Sequence, residues 1–307
     1  MRKIYLTLLV LVCLSLGVFG GVFYRSWRMS KTVAFRISTN EQFVDYDLKS
    51  ALNYLQYEFE RQGYRVLPWR YQGDFYFNEA DNAAINVFVR SFDVIWDARM
   101  NKKAFNIYYL HRFVSIYAEE FRNYDYYLSS QKNLLQALSF RPDVGYFEGG
   151  AVPHDKLSPN YLYDVLYISE HFENDYINYL ENQYRVKIFD GLKFGQLSQK
   201  EREKELAQAR LVVYDVEQSA QDDEDYVPYA VYDILSYGRP LVTNYKKTLA
   251  EIGQGNIYMF VRLEDMGDII QKVLNMGSNE LESRAEMVRK VLLLKQKKQT
   301  ALPKKMK

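Results

Sequence analysis

What most limits the folds open to this chain is a rhythm that runs, breaks and starts again. From residue 31 onward, short β-branched and aromatic runs alternate with amphipathic stretches, the pattern of a parallel sheet whose strands are joined by helical crossovers. In the first half the spacing predicts strands at 31–37, 64–69, 85–89, 93–96, 105–110, 124–128 and 143–147. Helices are expected at 43–62, closed by Gly63, and at 112–122 and 132–138. Residues 149–159 then bring together two glycines and two prolines, so the linker between two units is placed there. The alternation resumes with strands at 164–168, 185–189, 210–216, 240–243 and 257–261. Helices accompany them at 174–183, 199–209, 230–237, 265–276 and 280–296, with a short one ending at Ala250. The expected fold class is α/β, two Rossmann-like units facing across a cleft. Ligands of such sheets lie outside the carboxyl ends of the strands, so the site is expected between the units.

Composition narrows the function classes. With 48% apolar residues in 307 the chain can bury a core, outside the disordered class. Forty Lys and Arg against 39 Asp and Glu leave a net charge of +1, which gives no global field to hold a nucleic acid. Cys13 is the sole cysteine, so neither an internal disulfide nor a thiolate zinc cluster is available. His111, His154 and His171 show no HExxH spacing, which argues against a zinc hydrolase. The 28 tyrosines and 18 phenylalanines suit half-wet clefts and stacking on sugars, and equally plain packing.

Ahead of the rhythm, residues 4–24 form an uncharged run of 21 residues, close to the ~20 that an α-helix needs to cross a bilayer. Residues 1–30 are therefore expected to be a single-pass membrane anchor. A cleaved signal peptide is the alternative, with an imperfect small-residue site around Val18, Gly20 and Gly21. Arg25, Arg28, Lys31 and Arg36 follow the run and outnumber Arg2 and Lys3 before it, which points the body to the cytoplasmic face. At the far end Lys295, Lys297, Lys298, Lys304, Lys305 and Lys307 make a basic terminus, with 297–307 as a tail that either lies on anionic lipid or is simply solvated.

The segment 226–253 carries the most chemistry. It reads as a helix ended by Gly238, a tight Arg-Pro turn, a short buried strand and a second helix. Asp233 lies on the first helix, and Gly238 would let the chain turn back beside a ligand without a Cβ in the way. Asn244, directly after the strand, would cap the next helix and aim its N–H groups at a phosphate, helped by Lys246 and Lys247.

Here the chain resembles the donor-binding half of GT-B glycosyltransferases, and within them the CgeB-like spore-maturation group. The matching residues are Tyr232-Asp233-Ile234-Leu235, Gly238, Leu241-Val242-Thr243-Asn244-Tyr245 and, less closely, Leu249-Ala250-Glu251. Leu263-Glu264-Asp265 and Ser283-Arg284 also look like that group's carboxyl end. The resemblance implies transfer of a sugar from a nucleoside-diphosphate sugar without an obligatory metal. It divides the chain into an acceptor-side unit at 31–150 and a nucleotide-sugar unit at 151–296. In the related retaining enzymes two glutamates separated by seven residues contact donor sugar and ribose. Asp225 and Asp233 stand at that spacing, each shorter by a methylene, and Asp225 belongs to an acidic run that is equally a solvated loop. An ionised carboxylate can accept both ribose hydroxyls, which is the physical reason for the residue type.

In the first unit, His111 ends the strand 105–110 and is similar to the histidine that follows the equivalent strand in many of these transferases. It would touch the donor sugar or the leaving phosphate, or else be a satisfied histidine at a helix start. Asp45 and Glu41 are the acids available to deprotonate an acceptor hydroxyl, or first-turn acids favoured by the helix dipole. Gly150, with Gly149, would allow close backbone approach to the cleft. Asp190, Gly191 and Lys193 lie where the family binds base or phosphate, and His154 and His171 are as readily loop residues as contacts. Two features depart from the family: the first strand turns into Ser38-Thr39-Asn40 without a glycine-rich loop, and no Arg/Lys pair follows Ile168. The reading is a membrane-attached glycosyltransferase acting on a cell-envelope glycan or lipid-linked acceptor. The alternatives are an inactive GT-B scaffold and a periplasmic two-lobed sugar-binding protein.

Overall fold

The computed structural model describes residues 31–72, 83–90, 102–111, 124–169, 174–215, 226–262 and 264–298. The expected anchor, strand 93–96, helix 112–122, His171, Asp225 and the tail beyond Lys298 lie outside them.

Two parallel sheets carry the chain. The first holds β1 (Thr32–Ile37), β2 (Arg65–Val66), β3 (Arg70–Tyr71), β4 (Ile85–Arg90), β5 (Phe105–Leu110), β6 (Tyr126–Ser129) and β7 (Val144–Tyr146). Its order is β2-β1-β4-β5-β6-β7, with β3 also on β1. Both β1 and β4 are buried along their length, as strands covered on two faces must be. Of the strand expected at 64–69 only β2 forms, on Thr32 and Val33, and β3 follows just beyond it on Arg36 and Ile37. Pro68 lies between the two strands and has no N–H for the ladder. The crossover from β1 is α1 (Tyr46–Arg61), which starts later than expected because 41–43 form a separate turn of 3-10 helix. Gly63, at φ +84°, leads the chain out of α1 in the left-handed region. A second helix, α2 (Lys132–Ala137), joins β6 to β7.

The second sheet holds β8 (Tyr163–Ser169), β9 (Val186–Asp190), β10 (Ala209–Asp215), β11 (Leu241–Asn244) and β12 (Tyr258–Phe260) in the order β12-β11-β10-β8-β9. Its helices are α3 (Asn174–Gln183), α4 (Gly191–Gln196), α5 (Gln199–Gln208), α6 (Tyr229–Ser236), α7 (Lys247–Gly253), α8 (Asp265–Leu274) and α9 (Ser278–Lys298). Among these α4 was not expected. Helix α9 runs two residues into the expected tail, where lysines suit the negative end of the helix dipole. Among the described residues no helix is long and apolar enough to cross a membrane.

Each sheet reverses direction at its first strand. The first sheet grows from β1 to β2 on one side and to β4 on the other; the second grows from β8 to β9 and to β10. Such reversals open a crevice at the carboxyl ends of the strands.

Each sheet also lends a side chain to the other's core. Tyr46 of α1 is buried with Phe194, Tyr214 and Ile234, whereas Tyr229 of α6 is buried with Tyr54, Tyr109 and Phe147. Residues 149 and 150 are drawn into this junction. A Cβ on Gly149 would fall 2.4 Å from the Tyr232 ring, and one on Gly150 would fall 2.5 Å from Gln296 and 2.6 Å from Tyr54. Gly150 is thus a packing requirement between α1 and α9, and not the open approach to a ligand that the sequence suggested.

Candidate active site

The start of α1 builds the meeting point of the two sheets. Asp45 caps the helix, its Oδ1 accepting from the Leu48 N–H at 2.7 Å, so Tyr46 and Asp47 sit in the first turn. Gly195 on α4 lets this turn come close: a Cβ there would lie 2.5 Å from the Asp45 carbonyl carbon and 2.6 Å from the Tyr46 nitrogen. The Tyr46 ring meets Phe194 edge-on at 4.8 Å and lies 6.2 Å from Tyr214, near the carboxyl end of β10. Its hydroxyl donates to Asp233 Oδ2 at 2.9 Å. Burial, and then the charge of Asp233, push the Tyr46 phenol well above its ordinary pKa, so it remains a donor.

Asp47 occupies the amino end of α6. Its Oδ1 accepts from the Ala230 N–H at 3.1 Å and its Oδ2 from the Tyr226 hydroxyl at 2.9 Å. A carboxylate is favoured there by the positive end of the helix dipole. His111, one residue past β5, places Nε2 3.2 Å from Asp47 Oδ2, with both side chains buried. Neither of its ring nitrogens makes a well-aligned hydrogen bond.

Asp233 has a second partner in His154, whose Nε2 lies 3.1 Å from Oδ1. The His154 ring stacks on Tyr237, centroids 4.0 Å apart and planes within 6°. Beyond them a cavity of about 200 Å³ is lined by Asn53, Gln56, Arg202 and Asp233 among others. A larger hollow of about 510 Å³ opens at the end of β1 beside Asn40, Glu41, Gln42, Lys49 and Gln196. Burial, and then Arg202, lower the pKa of the Lys49 amine, while Glu41 opposes them.

The remaining expected residues fall elsewhere. Asp45 spends its carboxylate on the cap, while Glu41 is exposed on the rim of the larger hollow. Asp190 caps α4, its Oδ1 accepting from the Lys193 N–H at 2.7 Å, and Gly191 is the first residue of that helix. Asn244 is the last residue of β11 and pairs with Phe260; the cap position of α7 belongs to Lys246, without a side-chain bond. The expectation that Asn244 caps the helix is thereby corrected, since the chain stays extended past it. Lys246 is buried and Lys247 exposed. Gly238 has φ +70°, and a Cβ on it would face Arg289 and Lys156 at 3.2 and 3.3 Å, so it closes α6 against α9.

The structure gathers His111 and Asp233 at one junction, joined through Tyr46 and Asp47. Tyr46, Asp47 and Tyr226 were not singled out as site residues from sequence, and His154 was weighed evenly between a contact and a loop residue. Their partners lie as far as 187 positions away, and the only local sign was an acidic first turn on α1.

No family model matches this chain, and no curated protein does. Solved structures do. An α-glucosyltransferase in complex with UDP-glucose and DNA containing an abasic site is 9% identical, covering 85% of this chain and 94% of its own at a TM-score of 0.55. An α-glucosyltransferase in complex with UDP and a 13-mer DNA is 10% identical over 88% and 99% of the two chains, also at 0.55. One in complex with UDP gives 9%, 85%, 95% and 0.54. This chain has the GT-B glycosyltransferase fold. At such identities the likeness extends to architecture, and chemistry has to be argued from the site.

Proposed function

We propose that this protein is a glycosyltransferase that takes a sugar from a nucleoside-diphosphate sugar, held in the cleft between the sheets, and delivers it to a cell-envelope glycan or lipid-linked acceptor. The observation that carries the reading is the pair of facing sheet reversals, in a fold shared with transferases solved with UDP-glucose and UDP. The likeness to the CgeB-like group belongs to this proposal, as does anchoring through residues 4–24 with the body on the cytoplasmic side and the basic terminus on anionic lipid. DNA is no part of it: a net charge of +1 offers a polyanion no general attraction.

In this reading Asp233 accepts the ribose hydroxyls, and the N–H groups at the start of α6, with Lys246 and Lys247, stabilise the leaving diphosphate. His111 faces the donor sugar. Glu41, free of the capping duty that occupies Asp45, takes the acceptor proton beside the larger hollow. Asp225 is kept as the second carboxylate toward the donor sugar, and Asp190 with Gly191 toward the base.

Thermal unfolding with UDP, GDP, TDP, CMP and their sugar conjugates tests the reading. Ligand at 100 times its dissociation constant adds about 2.7 kcal/mol of stability. A rise in midpoint with one nucleotide family, lost in Asp233→Ala, is the expected result; a folded protein indifferent to all of them would count against it. A second reading, an inactive scaffold of the same fold, has one observation in its favour: Asp233 and the start of α6 already have internal partners.

A further inference from the structure

The internal partners of the cleft have the chemistry of what they would exclude. Tyr46 offers a flat aromatic ring between Phe194 and Tyr214, and a hydroxyl on a carboxylate. Asp47, the next residue, offers an anion to the Ala230 N–H at the start of α6. Ring, hydroxyl and anion follow one another as they do in a nucleotide, and the ring is buried with Ile168 and Tyr214, near the carboxyl ends of β8 and β10, where the second sheet reverses. The first turn of α1 fills the place in which such a sheet holds its ligand.

We propose that Tyr46 and Asp47 are a built-in occupant of the donor pocket, so that a nucleoside diphosphate enters only when the sheets part and the start of α1 withdraws. This rests on the glycosyltransferase reading and adds a regulatory step to the same site. A second observation separates the arrangement from ordinary core packing. Around Asp47 the polar groups are incompletely used. His111, 1% exposed, lies 3.2 Å from Asp47 Oδ2 yet has no aligned hydrogen bond at either ring nitrogen among the described residues. The hydroxyls of Tyr109, Tyr229 and Ser130 have only one another to turn to among the described residues. Buried polar groups normally find partners, and a diphosphate carries more acceptor oxygens than the single carboxylate of Asp47. Closure itself depends on Gly195, where the α1 backbone leaves no room for a Cβ.

The consequence is an apparent affinity reduced by the fraction of molecules that stand open. Titration calorimetry of the detergent-solubilised full chain with UDP, GDP, TDP and CMP measures it. In Tyr46→Ala/Asp47→Ala the occupant is gone; in Gly195→Ala it is intact but wedged outward, which covers the case in which the double variant fails to fold. Each is expected to bind one of the nucleotides at least tenfold more tightly than the unaltered protein. Adding Asp233→Ala to either should abolish the gain. Leu180→Ala, in the core of the second sheet away from α1, controls for loosening alone and should bring no gain. If the unaltered protein binds a nucleotide as tightly as both variants, occlusion is overturned and the donor site stands. If Leu180→Ala tightens binding equally, general loosening explains the effect and occlusion is again overturned. If no variant binds any nucleotide, the donor reading fails and takes this proposal with it.

Discussion

Asp45 and Asp47 stand two positions apart and do opposite work. The first turns back to its own helix; the second reaches across to another sheet. Because Asp45 satisfies the Leu48 N–H, Asp45→Ala is expected to cost about 1 kcal/mol in urea unfolding, and Asp45→Ser to recover most of that. Sequence alone could not tell the two apart, since acids in a first turn look the same whether they face solvent, their own helix or a distant one. A surface carboxylate gives a second test. Asp164 accepts from Arg185, which holds its carboxyl below the ordinary pKa, with Arg210 adding to the effect. A depressed pKa in the folded state means that the pair contributes stability above the ordinary carboxylate value of about 4 and loses it as pH falls through the folded value. Asp164→Asn should therefore be destabilising at pH 7, and the difference from the unaltered protein should fade on acidification below about 4. A difference that persists undiminished at acid pH would mean that the charge is not the source.

At the scale of elements the rhythm of the sequence was sufficient. Strand β5 and helix α3 fall where spacing put them, because a buried parallel strand and an amphipathic crossover each impose their own period. The failures have local physical causes. Pro68 lies in one expected strand, of which only β2 forms, and β3 takes up the pairing beyond it. Helix α4 carries Gly191 and Gly195 within six residues, so propensity argues against it and only the Asp190 cap and its packing sustain it. Gly238 was legible as a helix end but not as to what it faces. With φ at +70° and side chains of α9 beside the missing Cβ, Gly238→Ala should cost about 1–2 kcal/mol for the left-handed backbone alone. Chemical unfolding measures that cost, and a loss well below it would show that α6 can end in another conformation.

Across the whole molecule, what could not be read from the sequence is the exchange between sheets. Tyr46 belongs to the first sheet by chain order and to the second by burial, and Tyr229 does the reverse. Neither periodicity nor composition encodes such a crossing, because it depends on pairs of residues far apart along the chain. Its consequence is energetic coupling. Fully burying a large apolar side chain is worth roughly 1.5–3 kcal/mol, so separating the sheets exposes two aromatic rings and strands Asp47 without the Ala230 N–H and the Tyr226 hydroxyl. Unfolding one sheet removes part of the other's core, and the two should melt together. Differential scanning calorimetry is expected to give one transition with calorimetric and van't Hoff enthalpies in agreement, the mark of a two-state unit. Gly195→Ala forces the first turn of α1 away from α4 and weakens the exchange at its source, so in that variant the endotherm should broaden or divide. Two separate transitions in the unaltered protein would mean that the shared side chains do not couple the sheets, and that parting them costs too little to govern access to the cleft.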